Sequence, residues 1–524
     1  MRSRAESKKM MTLSSLLART ERLWGRRVAM IDGDVVLTWT EFAERVAFAA
    51  SVLASFGLQR GDRFALIAHN SVRQAELFYA GYHIGAVPVP INYRLAAKEI
   101  GAILDDSASK LLIVDDAFFE LLESTELSKW KTRSYSLNLR PLTVAILGTY
   151  RDGNSVSPLC MEPEAITEDD DAILLYTGGT TGRSKGVRLS HRNLATVALQ
   201  NAAVLAPRSD DIYLHVAPMF HSADLLSNSY LACGAAHIYL AKPSARLILE
   251  TIARNRVTAT VVPPTLIILA LQDERFGDFD LSSLRTMVFG SSPMPESWII
   301  TARDAIPEMD LWHGYGLTET SQMLTLGRVP RASEKLDSTS HGSRVRSAGC
   351  PLIGTDLRIV DGEGKELPIG MAGEVVARGP QITVGYLNLP DETATQFRDG
   401  WFYTGDIGSV DQDGWLYLLD RKRDMVITGG ENVYTFEVEE ALTQHPEIVE
   451  AAVFGVPDEV YGESLVAALV LRNGARVPAE AMIEHCRKLI GGFKIPRRIY
   501  FLNELPKNTL GKIAKNELRR QYTN

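Results

Sequence analysis

The chain has 524 residues, 45% hydrophobic and 23% charged, with a net charge of -8 at pH 7. That length exceeds what one core supports, so two or more domains are expected. The acidic balance excludes a general nucleic-acid binder. Four scattered cysteines (Cys160, Cys233, Cys350, Cys486) with no Cys-x-x-Cys exclude a disulfide framework and a zinc site.

No apolar run approaches the roughly 18–20 residues of a membrane span. The basic stretch 1–9 has no apolar region behind it, and the chain does not finish on Ser-Lys-Leu. The expectation is therefore a cytoplasmic enzyme-sized protein.

Apolar runs at 64–68, 111–114, 259–262 and 287–290 alternate with helix-like segments, which predicts parallel α/β architecture up to about residue 415. Ala172-Ile173-Leu174-Leu175 reads as a strand buried on both faces. It runs into Tyr176-Thr177-Gly178-Gly179-Thr180-Thr181-Gly182-Arg183-Ser184-Lys185-Gly186. Glycine N–H groups, threonine hydroxyls and the Lys185 ammonium are the groups that wrap a polyphosphate. The loop is not the helix-capping P-loop, because Val187-Arg188-Leu189 alternates like a second strand. A glycine-rich hairpin turn is the plainer reading, but the polar run is longer than a turn needs.

Near residues 361 and 373 the pattern shifts to short strands and turns, as in a small β-barrel. A charged run at 420–424 then separates off about 100 residues with their own pattern. There a helix is predicted at 436–445, strands at 449–456 and 465–471, a helix at 478–490 and a strand at 499–502. The predicted division is 1–420 and 421–524.

Trp312-His313-Gly314-Tyr315-Gly316-Leu317-Thr318-Glu319-Thr320 is the second strong signal. A tyrosine between glycines can lie flat on a planar ring, and Glu319 offers a hard carboxylate for magnesium. Gly290-Ser291-Ser292-Pro293 follows an apolar strand, and Thr404-Gly405-Asp406 places a carboxylate at a strand end where it can accept from a vicinal diol.

These motifs and their order resemble the adenylate-forming superfamily of acyl-CoA synthetases, luciferases and peptide-synthetase adenylation domains. The departures are Gly178 where the pattern has Ser, Ser184 where it has Pro, and Trp401 where it often has Tyr. The resemblance implies a large N-terminal domain of parallel α/β subdomains plus a small β-barrel, then a small mobile α+β domain hinged near Arg423. It implies that Thr177, Gly178, Gly179, Thr180, Thr181, Gly182 and Lys185 hold phosphate. Gly290, Ser291, Ser292, Gly314, Tyr315 and Gly316 would line adenine, and Asp406 and Arg421 would hold ribose. Thr318 and Glu319 would serve the magnesium phosphate, with Lys512, in Pro506-Lys507-Asn508-Thr509-Leu510-Gly511-Lys512, at the α-phosphate and substrate carboxylate.

Ala217-Pro218-Met219-Phe220-His221-Ser222 bears on the branch. Amino-acid-activating relatives carry an aspartate after this phenylalanine. His221 stands there instead, as in acyl- and aryl-CoA ligases, at the junction of acyl pocket and thioester tunnel. The expected acyl pocket is Phe220, His221, Ser222, Val262, Gly290, Trp312, Gly314 and Met323, with glycine at 290 and 314 permitting depth. Coenzyme A contacts are expected from Gly429, Gly430, Arg94, Phe493 and Lys494. The reading is an ATP-, magnesium- and coenzyme A-dependent carboxylate–CoA ligase, monomeric or homodimeric. Loading of a carrier-protein phosphopantetheine is the alternative, and a luciferase-like oxygenase the third. Fatty, aryl and bulky polycyclic acids all remain open.

Overall fold

A computed structural model describes residues 11–137, 166–178, 184–334, 344–472, 474–507 and 512–523. The predicted parallel strands form two sheets. One has four strands in the order Val87–Pro90, Arg63–Ile67, Leu111–Val114, Ser134–Ser136, all parallel. Leu112, Ile113 and Val114 have no solvent exposure at all, as continuous apolar strands covered on both faces require.

The other sheet has nine strands, and its centre runs Asp310–Tyr315, Thr286–Gly290, Ala259–Val261, Ile212–His215, Ala236–Tyr239. These are mutually parallel, with antiparallel strands at both edges. Val28–Asp32 joins it in parallel with Ala236–Tyr239, one strand in from the edge.

Helices begin where the caps say they should. Thr38 caps Trp39–Ser55 in a box with Glu41, and Ser190 caps His191–Leu205 in a box with Asn193. Trp39 and Phe42 of the first helix are fully buried.

Two smaller units follow. The region expected as a small β-barrel takes the form of a five-stranded antiparallel sheet, Asp356–Val360 to Leu416–Arg421, packed on Ile359, Val375, Ala377 and Leu416. Beyond it a second five-stranded sheet, with Val426–Thr428, Glu431–Val433, Ile448–Asp458, Gly462–Leu471 and Arg498–Leu502, packs on Thr435–Thr443 and Ala479–Arg487. Among the described residues no helix is long and apolar enough to cross a membrane.

Candidate active site

Parallel strands bring the two glycine motifs side by side, with Gly290 paired to Gly314. A Cβ on Gly290 would lie 2.2 Å from the Gly314 carbonyl oxygen, and one on Gly314 would lie 2.8 Å from Met323 Sδ. The space at both is already filled by neighbouring protein. These glycines therefore permit close backbone approach, and the expected pocket depth at 290 and 314 is corrected. Ser291 sits at φ 67, in the left-handed region that a glycine occupies more easily. Ser292 is half-buried beside it.

Tyr315 is buried against Leu324 and Ala348, and its hydroxyl donates to Asp406 Oδ2 at 2.7 Å. Asp406 pairs in register with Arg421, whose Nε lies 2.7 Å from Oδ1. Burial raises the Asp406 carboxyl above its ordinary range, while Arg421, Tyr315, Lys512 and Arg423 hold it down. Each oxygen keeps a second lone pair for a further donor.

Lys512 arrives from the C-terminal unit. Desolvation first, then Arg421 and Arg423, lower its pKa to about 8, with Asp406 and Glu319 pulling the other way. One ammonium thus senses the Asp406–Arg421 pair and Glu319 together.

Glu319 is buried in the short turn Thr318–Thr320, and Gly316 precedes that turn because a Cβ there would meet the Gln322 carbonyl at 2.2 Å. Gln322 Nε2 donates to the Ala223 carbonyl at 3.0 Å, and the Ser222 and Thr318 hydroxyls lie 3.3 Å apart. The segment of His221 is thereby pinned to that of Glu319.

His221 Nδ1 accepts from the Ala223 N–H at 3.1 Å, which leaves the ring proton on Nε2. Desolvation, then Lys512, lower its pKa to about 4. His221 is a neutral donor at physiological pH.

Thr177 pairs with Lys185 at the mouth of an antiparallel hairpin, and Gly178 is exposed there. Gly179, Thr180, Thr181 and Gly182 lie outside the described residues. Lys185 Nζ sits 5.1 Å from the centre of the Tyr386 ring, and the Tyr386 hydroxyl donates to Glu319 Oε1 at 2.7 Å.

Among the described residues no three His, Cys, Asp or Glu side chains cluster as metal ligands. A lone buried carboxylate beside cationic phosphate binders fits magnesium, which takes one or two protein carboxylates and completes its shell with phosphate and water.

The sequence matches the AMP-binding enzyme family over residues 17–387 and its C-terminal domain over 437–512. The chain belongs to the AMP-binding enzyme family. It is 32% identical to a feruloyl-CoA synthase from Amycolatopsis, covering 97% of this chain and 99% of that one. It is 33% identical to a fatty acid–acyl-carrier-protein ligase from Streptomyces coeruleorubidus, covering 93% and 92%. Among solved structures, the o-succinylbenzoate coenzyme A synthetase of Bacillus subtilis with ATP and magnesium superposes with a TM-score of 0.83. That pair shares 28% identity over 97% of this chain and 99% of the other. The chain is thus an AMP-forming ligase of the acyl- and aryl-CoA synthetase branch, using ATP, magnesium and coenzyme A.

Within this AMP-binding enzyme the acyl-side residues divide. Phe220 is buried edge-on to Tyr93 at 5.4 Å, and Tyr93 carries the Arg94 guanidinium 5.4 Å from its ring. Ser222 and His221 face the Thr318 turn. Trp312 and Met323 pack with Val197, Leu226 and Val288. Val262 packs with Ile267 and Met287, and its N–H donates to the carbonyl of Val288, which packs with Trp312 and Met323.

Gly429 and Gly430, at φ 60 and 86, form the two-residue turn of a hairpin in which Thr428 faces Glu431. A helix, Thr435–Thr443, follows the hairpin directly. Phe493 is exposed, and Lys494 Nζ is held 2.7 Å from both Glu437 oxygens. Arg423 is exposed between Leu416–Arg421 and Val426–Thr428, with Nε 3.9 Å from Asp424 Oδ2.

Sequence reasoning missed Tyr386, and it missed Asn70, which accepts from the Met219 N–H and donates to the Ala217 carbonyl. It also missed the ion pair of Arg346 with Glu440, 2.7 Å apart across the two units. Gly385-Tyr386, a glycine–aromatic pair, was the one local signal available for these.

Proposed function

We propose that the protein is an ATP-dependent carboxylate–CoA ligase that first converts a carboxylate and ATP to acyl-AMP and pyrophosphate. It then converts acyl-AMP and coenzyme A to acyl-CoA and AMP. The observation that carries the reading is Lys512, from the C-terminal unit, within electrostatic reach of Asp406, Arg421, Glu319 and His221.

Attack of a carboxylate oxygen on the α-phosphorus gathers negative charge on a crowded centre. A preorganised, desolvated ammonium stabilises that charge without reorganising. Lys512 does this, while Lys185, Thr177 and the glycine and threonine loop hold the departing pyrophosphate. Glu319 would hold magnesium, which neutralises phosphate charge when bound. Tyr315 lies against adenine and Asp406 with Arg421 holds the ribose hydroxyls. His221, a neutral Nε2–H donor, orients the acyl carbonyl.

The second half-reaction follows rotation of the residues beyond Arg423, which withdraws Lys512 and presents Gly429, Gly430, Phe493 and Lys494 to coenzyme A near Arg94, while Arg421 stays with Asp406. The use of ATP and coenzyme A supports a cytoplasmic enzyme, read as a monomer or homodimer. Fatty, aryl and bulkier acids remain the candidate substrates.

The test is pyrophosphate release across a panel of carboxylic acids, with and without coenzyme A. With a matching acid, release is slow until coenzyme A is added, because tightly held acyl-AMP blocks the site. A carrier-loading enzyme is the second reading, favoured by the Streptomyces relative. Turnover indifferent to coenzyme A and raised by a phosphopantetheinylated carrier protein would select it.

A further inference from the structure

We propose that Tyr386 is a positioning residue for the first half-reaction: it fixes the Glu319 carboxylate so that one oxygen is committed to protein and the other is presented to the metal-bound triphosphate. This rests on the reading of Glu319 given above.

Three contacts define the arrangement. The Tyr386 hydroxyl donates to Glu319 Oε1 at 2.7 Å, and the ring lies 5.1 Å from Lys185 Nζ. The Thr383 N–H donates to the Glu319 carbonyl at 2.8 Å, so the same segment fixes both the main chain and the side chain of Glu319.

Tyr386 is itself held rigidly. It bridges to Val187, the next N–H (Leu387) donates to the Gly186 carbonyl at 2.8 Å, and the Tyr386 N–H donates to Thr393 Oγ1 at 3.1 Å. Gly385, at φ 141 and with Thr393 2.4 Å from where a Cβ would stand, lets this backbone pass close by. Tyr386 therefore joins the phosphate hairpin to the Glu319 turn.

A phenol with its ordinary pKa of about 10 is protonated at physiological pH, so it is a donor to Glu319. A carboxylate that accepts such a bond cannot swing freely. Its ordering cost is met before nucleotide arrives. The ring face turned to Lys185 keeps that ammonium from collapsing onto Glu319, which would neutralise both partners of the phosphate.

The experiment uses Tyr386→Phe and Glu319→Gln in the full chain, with the folds compared by circular dichroism and thermal unfolding. Binding of manganese in the presence of a non-hydrolysable α,β-methylene ATP is measured by equilibrium dialysis, and pyrophosphate release is followed against magnesium concentration. Removing an outer-shell partner of a metal ligand typically costs about 10–100-fold in metal affinity or activity. Tyr386→Phe is expected to weaken manganese retention and raise the magnesium requirement by at least the lower of those factors, with metal-free ATP binding unchanged.

If Glu319→Gln loses manganese while Tyr386→Phe retains it at full affinity, the proposal is overturned and the Glu319 reading stands. If neither variant changes manganese retention, both fall together. Equal loss of metal-dependent and metal-free nucleotide binding in Tyr386→Phe also overturns it, since that would mark a general packing role.

Discussion

Lys512 shows how the site sets the reactivity of a single residue. Desolvation and the adjacent arginines lower its pKa to about 8, so its charge is complete well below that pH and is lost above it. The kcat/KM for pyrophosphate release, which reports the free enzyme, should fall as pH rises through that value. Lys512→Arg should remove this alkaline limb even where it lowers the plateau, because a guanidinium does not deprotonate in the range. A limb unmoved in Lys512→Arg would assign the titration elsewhere. Lys512→Ala should cut acyl-AMP formation by about 10²–10³, the cost of losing one preorganised donor to developing charge. Thioester formation from supplied acyl-AMP should survive, and equal loss of both half-reactions would remove Lys512 from its assigned role. His221, with a pKa near 4, should add no ionisation to the profile between pH 6 and 8.

The paired strands ending at Gly290 and Gly314 make a contrasting prediction at the level of elements. A methyl at 290 meets the fixed Gly314 carbonyl, whereas one at 314 meets the movable end of Met323. Gly290→Ala should therefore destabilise by about 1–3 kcal/mol, as overpacking does, and weaken AMP binding through Tyr315. Gly314→Ala should cost less in thermal unfolding, and equal losses would refute the distinction. The strand ending at Gly290 was legible in sequence as an apolar run, whereas Asp310–Tyr315, broken by His313 and Gly314, was legible only as a motif. The glycine, tyrosine and aspartate motifs were legible because each chemistry requires its residue types close together along the chain. Tyr386 was not, since its partner Glu319 comes 67 positions earlier and nothing periodic links them.

Across the whole molecule, the two units are held in the orientation that presents Lys512. Arg421 belongs to the last strand of one sheet, and the next strand, Val426–Thr428, opens the other. Between them Asp420 accepts from the Thr435 hydroxyl at 2.8 Å, and Arg519 reaches Asp424 at 3.0 Å. The Arg519–Asp424 pair lies wholly beyond Arg423 and can persist through a rotation about it. The Arg346–Glu440 pair cannot, because it ties the large domain to the helix Thr435–Thr443 of the rotating unit. Burial raises the Glu440 carboxyl while Arg346 holds it down, with Glu296 opposing Arg346. Breaking the pair should therefore bias the two orientations rather than damage either site. Exposed and half-exposed pairs contribute up to about 1 kcal/mol, so Glu440→Gln should change the ratio of the two half-reaction rates by roughly fivefold. Pyrophosphate release should slow, and thioester formation from supplied acyl-AMP should hold or rise. Arg346→Gln should do the same, and the double variant should add nothing, because one interaction has been removed either way. Added salt should move the wild-type ratio toward that of the variants. Equal slowing of both half-reactions would identify the pair as a fold contact with no bearing on orientation.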